Sequence, residues 1–73
     1  MIDTKRKGKR CRATRLIRIH AGIVAPSSQG TIAYEMENLG RQLIRVQWDM
    51  GSSTYVFPDE IEIMAANGSA ANL

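Results

Sequence analysis

The amino-acid sequence predicts an all-β protein that folds into a small barrel of short antiparallel strands. Two observations in residues 29–63 support this fold class. Three runs of alternating apolar and polar residues are separated by turn-forming residues, which is the pattern of half-buried strands. A Pro-Asp-Glu corner at residues 58–60 then leads into a fourth run at residues 61–63. Because barrels of this kind more often bind partners than catalyse reactions, we expect a binding protein.

The length of the chain allows one domain. It has 73 residues, of which 44% are hydrophobic and 23% charged, an ordinary composition for a globular protein. A domain this small buries only about 60% of its unfolded surface, so its stability is marginal. We expect the barrel to span residues 8–64. Residues 1–7 are predicted to be a disordered basic arm and residues 65–73 a disordered tail, because neither segment has enough apolar surface to bury.

The first strand is predicted to begin at Cys11, with Cys11 and Ala13 facing inward. The alternation then fails, because Leu16 and Ile17 are adjacent apolar residues. A bulge or the start of a long loop explains such a slip. Residues 21–28, which contain glycine, proline and two serines, are predicted to be a connection.

The next strands are predicted from their alternation. The second strand starts at residue 30 and places Ile32, Tyr34 and Met36 on one face. Its opposite face carries Thr31, Ala33, Glu35 and Glu37. A hairpin loop at residues 38–40 should hold Gly40 in a left-handed conformation.

The third strand has Ile44, Val46 and Trp48 on its inner face. After a turn at residues 49–52, a fourth strand is expected over residues 54–57, and the Pro-Asp-Glu corner is predicted to be a 3₁₀ turn. The alternation places the following residues in the core: Ile32, Ile44, Val46, Trp48, Val56 and Ile61. Phe57 is also expected in the core, whereas Tyr34 and Tyr55 should show their hydroxyls at the surface.

Positive charge is concentrated at the start of the chain. The net charge is +3, and residues 1–20 hold eight Lys and Arg against Asp3 alone. Such clusters bind phosphate backbones by releasing counterions, although they also serve solubility alone. The candidate binding patch consists of Lys5, Arg6, Lys7, Lys9, Arg10, Arg12, Arg18, Arg41 and Arg45.

Catalytic and metal chemistry find little support in the sequence. The one cysteine, Cys11, and the one histidine, His20, have opposite strand parity, whereas a nucleophile and its base must lie within hydrogen-bonding distance. One cysteine and one histidine cannot supply the four ligands of an ordinary zinc site. We therefore expect no enzyme activity and no cofactor. The absence of a membrane-length apolar run and of a signal-peptide core, together with the single cysteine, favours a cytoplasmic protein.

Four short motifs resemble those of the SH3-like barrel superfamily. Three of them are a Gly-Thr-Ile strand start at residues 30–32, Val-Gln-Trp-Asp-Met-Gly at residues 46–51, and the 3₁₀ turn with a final short strand at residues 58–63. Residues 8–11 resemble the family's Gly-x-x-Val opening, with Cys11 in place of Val. The resemblance covers residues 8–64 and implies a five-stranded SH3-like barrel.

Members of this superfamily share a fold and differ in function. They include translation and transcription factor modules, accessory subunits of photosystem and ferredoxin-linked enzymes, and other small bacterial proteins. The leading expectation is a non-enzymatic protein-interaction module, an accessory or regulatory subunit of a bacterial complex, which docks its partner through open edge strands and charged faces. One alternative is nucleic-acid binding through the basic arm and the first strand. Another is a small enzyme whose active site forms only across an oligomer interface.

Overall fold

The protein is mostly β in the computed structural model, which describes residues 2–20 and 22–64. In these two ranges the only helical element is a 3₁₀ turn at Pro58–Glu60. None of the described residues forms a helix long and apolar enough to cross a membrane. The strands are β1 (Ile2–Asp3), β2 (Arg10–Ala13), β3 (Ile17–Ile19), β4 (Gly22–Val24), β5 (Gln29–Asn38), β6 (Arg41–Trp48), β7 (Ser53–Val56) and β8 (Ile61–Ile63).

Six of the strands form one antiparallel sheet in the order β7-β6-β5-β2-β8, with β1 also paired to β5. Strands β3 and β4 form a separate two-stranded sheet. Within the described residues the outermost strands, β7 and β8, do not pair, so the sheets are not closed into a barrel. The mostly β fold is confirmed, and the predicted five-stranded SH3-like barrel is not.

A single hydrophobic core lies on the inner face of the large sheet. It comprises Cys11, Ala13, Ile17, Val24, Ile32, Ile44, Val46, Trp48, Val56 and Ile61. The six residues that alternation places in the core are all buried. Three of them, Ile44, Val46 and Trp48, lie on β6, where strict alternation directs every second side chain to the same face. The β3–β4 hairpin contributes two of the ten, Ile17 and Val24, and therefore packs against this face.

The prediction of a connection over residues 21–28 is wrong for its first half, because β4 occupies residues 22–24. The adjacent apolar residues Leu16 and Ile17 mark the change between two strands: Ile17 is buried and opens β3, while Leu16 is half-exposed. Ile17 and Ile19 of β3 both pack on the core, but Val24 is the one core residue of β4, so β4 has too little alternation to be recognised from sequence.

The predicted faces of β5 are correct only as far as Ile32. Ile32 pairs with Val46, but Tyr34 pairs with Arg45, so Ala33 has no partner in β6. One extra residue reverses the alternation. As a result Glu35 is buried on the inner side. Tyr34 and Met36, which the alternation places on the same face as Ile32, lie instead on the outer side with the outward residues of β6.

The start of the chain also differs from the predicted disordered arm. Ile2 pairs with Met36 and Asp3 with Glu35, so β1 extends the large sheet beside β5. Ile2 and Asp3 pair with a neighbouring strand, and composition alone does not predict that pairing. The predicted disordered tail at residues 65–73 lies outside the described residues.

The turns follow the prediction closely. Gly40 has a φ of 80°, as expected for a left-handed position. At the 3₁₀ turn, the Glu60 carboxylate accepts a hydrogen bond of 2.8 Å from the backbone N–H of Phe57. The expectation that Phe57 lies in the core is wrong, since its side chain is 39% exposed. Its neighbour Val56 faces inward, so Phe57 faces outward.

Candidate binding surface

The centre of the outer sheet face carries a row of three side chains. The pairing of β5, β6 and β7 aligns Tyr34, Arg45 and Tyr55 across the strands. The two tyrosine hydroxyls share a hydrogen bond of 2.5 Å, which raises the pKa of Tyr34, and the rings meet edge to face. The Arg45 guanidinium lies over the Tyr55 ring, 4.8 Å from its centre, a geometry that favours a cation–π interaction.

A second, more apolar row lies beside the first. Ile2, Met36 and Leu43 align across β1, β5 and β6, and Phe57 follows β7 on the same side. The Arg41 guanidinium lies 5.5 Å from the centre of the Phe57 ring. We call the two rows together the outer patch, which consists of Ile2, Tyr34, Arg41, Met36, Leu43, Arg45, Tyr55 and Phe57.

The outer patch is open to solvent. Its exposed apolar members are Ile2 (61%), Tyr55 (39%) and Phe57 (39%), and the remaining apolar side chains are partly buried. Neither of its arginines has a carboxylate within ion-pair distance in the described part of the chain. The outer patch therefore combines exposed aromatic surface with uncompensated positive charge.

The arginines outside the outer patch are mostly neutralised. Arg10 forms a two-point ion pair with Asp49, which lowers the pKa of that carboxyl, and it also donates to Thr31. The further pairs, Arg12–Glu62 (2.8 Å) and Arg15–Asp59 (3.0 Å), join the first half of the chain to its end. Arg10 and Arg12, which the sequence predicts to be part of the binding patch, are therefore neutralised within the molecule.

Arg6 is neutralised in a different place, on the inner side of the β5–β6 hairpin. Its guanidinium donates two hydrogen bonds of 2.7 Å to the Glu35 carboxylate, which also accepts one from Gln42. The hydrogen bonds from Arg6 lower the pKa of Glu35, although burial opposes the shift. The cluster attaches the start of the chain to the fold.

The structure thus divides the predicted nine-residue patch among several places. Arg6, Arg10 and Arg12 are held in internal ion pairs, and Arg18 lies on the separate β3–β4 hairpin. The exposed turn between β1 and β2 carries Lys5, Lys7 and Lys9. Arg41 and Arg45 belong to the outer patch, which is the one place where predicted residues meet exposed aromatic side chains.

Sequence reasoning missed Phe57 and Met36 as members of this surface, whereas it expected the Tyr34 hydroxyl at the surface. The signal for Phe57 was present, because Phe57 directly follows the inward-facing Val56. For Met36 no local signal existed, since its side depends on the unpaired Ala33.

The side chains considered for catalysis or metal binding lie apart from the outer patch. Cys11 is wholly buried, and burial raises the pKa of its thiol. His20 is exposed at the end of β3. An open depression is lined by Asp3, Glu35, Met36, Glu37 and Gln42. Across residues 2–20 and 22–64, no three His, Cys, Asp or Glu side chains are grouped so that they can hold a metal ion.

Comparisons of the chain with models of protein families, with curated proteins and with solved structures found no match.

Proposed function

We propose that this protein is a non-enzymatic protein-interaction module, an accessory or regulatory subunit of a larger bacterial complex. The observation that carries the proposal is the outer patch. Interface residues that dominate binding are enriched in tyrosine, other aromatics and arginine, and they cluster in the centre of a contact surface. The outer patch has this composition on a single solvent-facing side of a sheet.

The sequence motifs and the strand pairing both support an SH3-like architecture for the module. Strand β2 pairs with β5 on one side and with β8 on the other, and the 3₁₀ turn immediately precedes β8. The resemblance predicted that final turn and strand. We propose that the large sheet and the β3–β4 hairpin are a variant of this architecture with one open face available for docking.

Charge favours a protein partner over a nucleic acid. Of the nine cations predicted to bind, three form internal ion pairs, namely Arg6, Arg10 and Arg12. Phosphate contacts at those positions require breaking an existing pair, which reduces the electrostatic gain. Arg41 and Arg45, which form no ion pair in the described residues, lie among apolar and aromatic side chains. A protein surface that is both apolar and acidic would complement them.

The test compares variants of the outer patch with a variant of the polar half of the same sheet. Tyr55→Ser and Phe57→Ser each remove an exposed aromatic ring, whereas Arg12→Gln removes an exposed ion pair on the same face. A protein captured by the wild type is identified, purified and titrated by calorimetry against all three. We expect the aromatic variants to weaken binding at least about thirtyfold, the size of a hot-spot effect.

Arg12→Gln should bind like the wild type. Circular dichroism of each variant establishes that the fold is retained. Equal affinities for all four proteins contradict the proposal, because the outer patch then contributes nothing to binding.

Nucleic-acid binding is a second candidate function, and one observation favours it. In the described part of the chain, the exposed turn between β1 and β2 carries Lys5, Lys7 and Lys9 without carboxylate partners. Replacing all three by Gln should reduce the log–log salt slope of binding to duplex DNA by up to about 2.7, or 0.9 for each phosphate contact. No retention of the wild type on DNA at low salt excludes this candidate.

A further inference from the structure

Arg45 differs from the paired arginines of this protein in what surrounds its guanidinium. Arg6, Arg10, Arg12 and Arg15 each contact a carboxylate. Arg45 lies partly buried in the middle of the sheet face and, among the described residues, forms no hydrogen bond or ion pair. A guanidinium offers five N–H donors, and partial burial removes some of the water that would otherwise satisfy them.

The Tyr55 ring restricts how Arg45 can meet a ligand. The ring packs against the guanidinium, whose carbon lies 4.8 Å from the ring centre, and the Arg45 side chain remains partly exposed. Tyr55 is itself fixed by its hydrogen bond to Tyr34. A guanidinium held in this way is ordered before a ligand arrives, which lowers the entropy lost on binding.

Resting on the proposed function, we propose that Arg45 recognises an Asp or Glu side chain of an extended segment of the partner. The carboxylate accepts two parallel N–H···O bonds from the guanidinium, the geometry in which arginine binds carboxylates most strongly. The Tyr55 ring supports the guanidinium from behind.

The second, apolar row of the outer patch indicates which residue of the partner segment accompanies the acidic one. Leu43 lies two residues from Arg45 along β6 and faces the same side. Side chains two apart on an extended chain are about 6.6 Å apart, so a segment running along β6 places its next same-side residue over Leu43. An apolar side chain at that position contacts Leu43, Met36 and Phe57. The ligand is therefore an acidic residue followed or preceded, two positions away, by an apolar one.

A second copy of this chain is a poor source of that carboxylate. Six of the seven acidic side chains already accept hydrogen bonds within the molecule: Asp3, Glu35, Asp49, Asp59, Glu60 and Glu62. In the part of the chain that the structure describes, Glu37 alone has no such contact. The chain also carries a net charge of +3, which disfavours self-association.

The experiment uses two capped octapeptides and the full-length protein. One peptide has a Glu two positions before a Leu in a Ser/Thr background, and the other has Gln in place of that Glu. Titrations are followed by NMR, which observes the backbone amides and the arginine Nε–H signals. We expect the Glu peptide to shift the signals of Arg45 and Tyr55, and to bind about tenfold more tightly than the Gln peptide.

Two variants separate the fork geometry from charge alone. Arg45→Lys keeps the positive charge but cannot form the two parallel bonds, so the preference for Glu over Gln should fall to about twofold or less. Arg12→Lys, on the polar half of the same face, should retain the tenfold preference. A preserved preference in Arg45→Lys overturns the proposal.

Other outcomes are equally decisive. If both peptides bind equally at the outer patch, carboxylate recognition is wrong while the interaction module stands. If neither peptide binds, carboxylate recognition at Arg45 is overturned, and the partner titration with Tyr55→Ser and Phe57→Ser decides the proposed function separately. If a short oligonucleotide shifts the NMR signals of Arg45 more than the Glu peptide does, the ligand of Arg45 is a nucleic acid and not an acidic segment. If sedimentation shows concentration-dependent dimers, the ligand is a second copy of this chain.

Discussion

Gly30 lies between two strands at a point where there is no room for a side chain. Cys11 of β2 is opposite it on one side and Trp48 of β6 on the other. A Cβ atom at this position meets a methyl group of Val46 at 2.7 Å and the carbonyl oxygen of Gln47 at 2.8 Å. Real Cβ contacts are longer, so the strands must separate to accept even a methyl group.

Gly30→Ala is therefore expected to lower the free energy of unfolding by about 1–3 kcal/mol, the usual cost of overpacking. Urea unfolding followed by the fluorescence of buried Trp48 measures it. Thr31→Ala, a neighbouring substitution on the outer face, is the control and should cost less than Gly30→Ala. Unchanged stability of Gly30→Ala contradicts the close approach of β5 and β6.

Protonation of Glu35 is expected to make the stability of the fold depend on pH. Its hydrogen bonds with Arg6 hold its pKa below the ordinary value of 4.5. A carboxyl with a lowered folded-state pKa contributes stability above its unfolded pKa and loses that contribution as the pH falls through the folded one. We expect the stability of the wild type to decline as the pH falls below about 4.5.

The substitution Glu35→Gln removes the titrating group, so the decline at acid pH should become shallower. Urea midpoints measured between about pH 2 and 7 test this. Glu37→Gln, which removes an exposed carboxylate with no contact in the described residues, should leave the decline in place. Identical acid profiles for wild type and Glu35→Gln would falsify the role of Glu35.

At the scale of elements, the β5–β6 hairpin organises the molecule. It contributes Ile32, Ile44, Val46 and Trp48 to the core. Its outer face carries five of the eight residues of the outer patch: Tyr34, Met36, Arg41, Leu43 and Arg45. Its two-residue turn places Leu39 at a φ of 53° and Gly40 at 80°. Two positive φ values are typical of a type I′ turn, where the first position favours Asn or Gly over Leu.

Leu39→Asn should therefore raise the free energy of unfolding, by about 0.5–1 kcal/mol. The Leu39 side chain is 95% exposed, so its removal costs little packing. Thermal unfolding measures the change. Leu39→Val is the matched comparison and should be destabilising, because β-branched residues tolerate positive φ poorly. If Asn proves less stable than Leu, the turn does not have this conformation.

At the scale of the whole molecule, ion pairs connect the first part of the chain to the rest of the sheet. Arg10, Arg12 and Arg15 reach Asp49, Glu62 and Asp59, respectively. Pairs as exposed as these are screened by solvent and contribute little to stability. The Arg6–Glu35 pair is different, because Glu35 is only 4% exposed. Removing its partner leaves a buried charge uncompensated.

Deletion of residues 1–7 is expected to destabilise the protein by about 1–3 kcal/mol without abolishing the fold. The deletion removes β1 and Arg6 but none of the core residues. Adding Glu35→Gln to the truncated protein should restore part of the loss, because a neutral amide costs less to bury than an unpaired carboxylate. Chemical unfolding of the four proteins measures this coupling. Additive effects of the two changes argue against the Arg6–Glu35 contact.

Features that depend on near neighbours along the chain can be predicted from the sequence alone. Alternation on β6 identified Ile44, Val46 and Trp48 as core residues, and Gly40 and the Pro-Asp-Glu corner marked their turns. Strand periodicity and turn preferences are properties of a few consecutive residues, so they can be read along the chain. The outward orientation of Phe57 is a local feature of the same kind, because Phe57 directly follows the inward-facing Val56.

Features that depend on residues far apart in the chain follow only from the folded structure. Ala33 lacks a partner only because β5 and β6 pair in a particular register, and that register turns Glu35 inward and Tyr34 outward. The basic residues looked like one patch because their carboxylate partners are distant, as with Arg12 and Glu62, which are 50 positions apart. Pairing across a sheet follows from the packing of the whole core, so composition identifies the charges but not which of them are left for a partner.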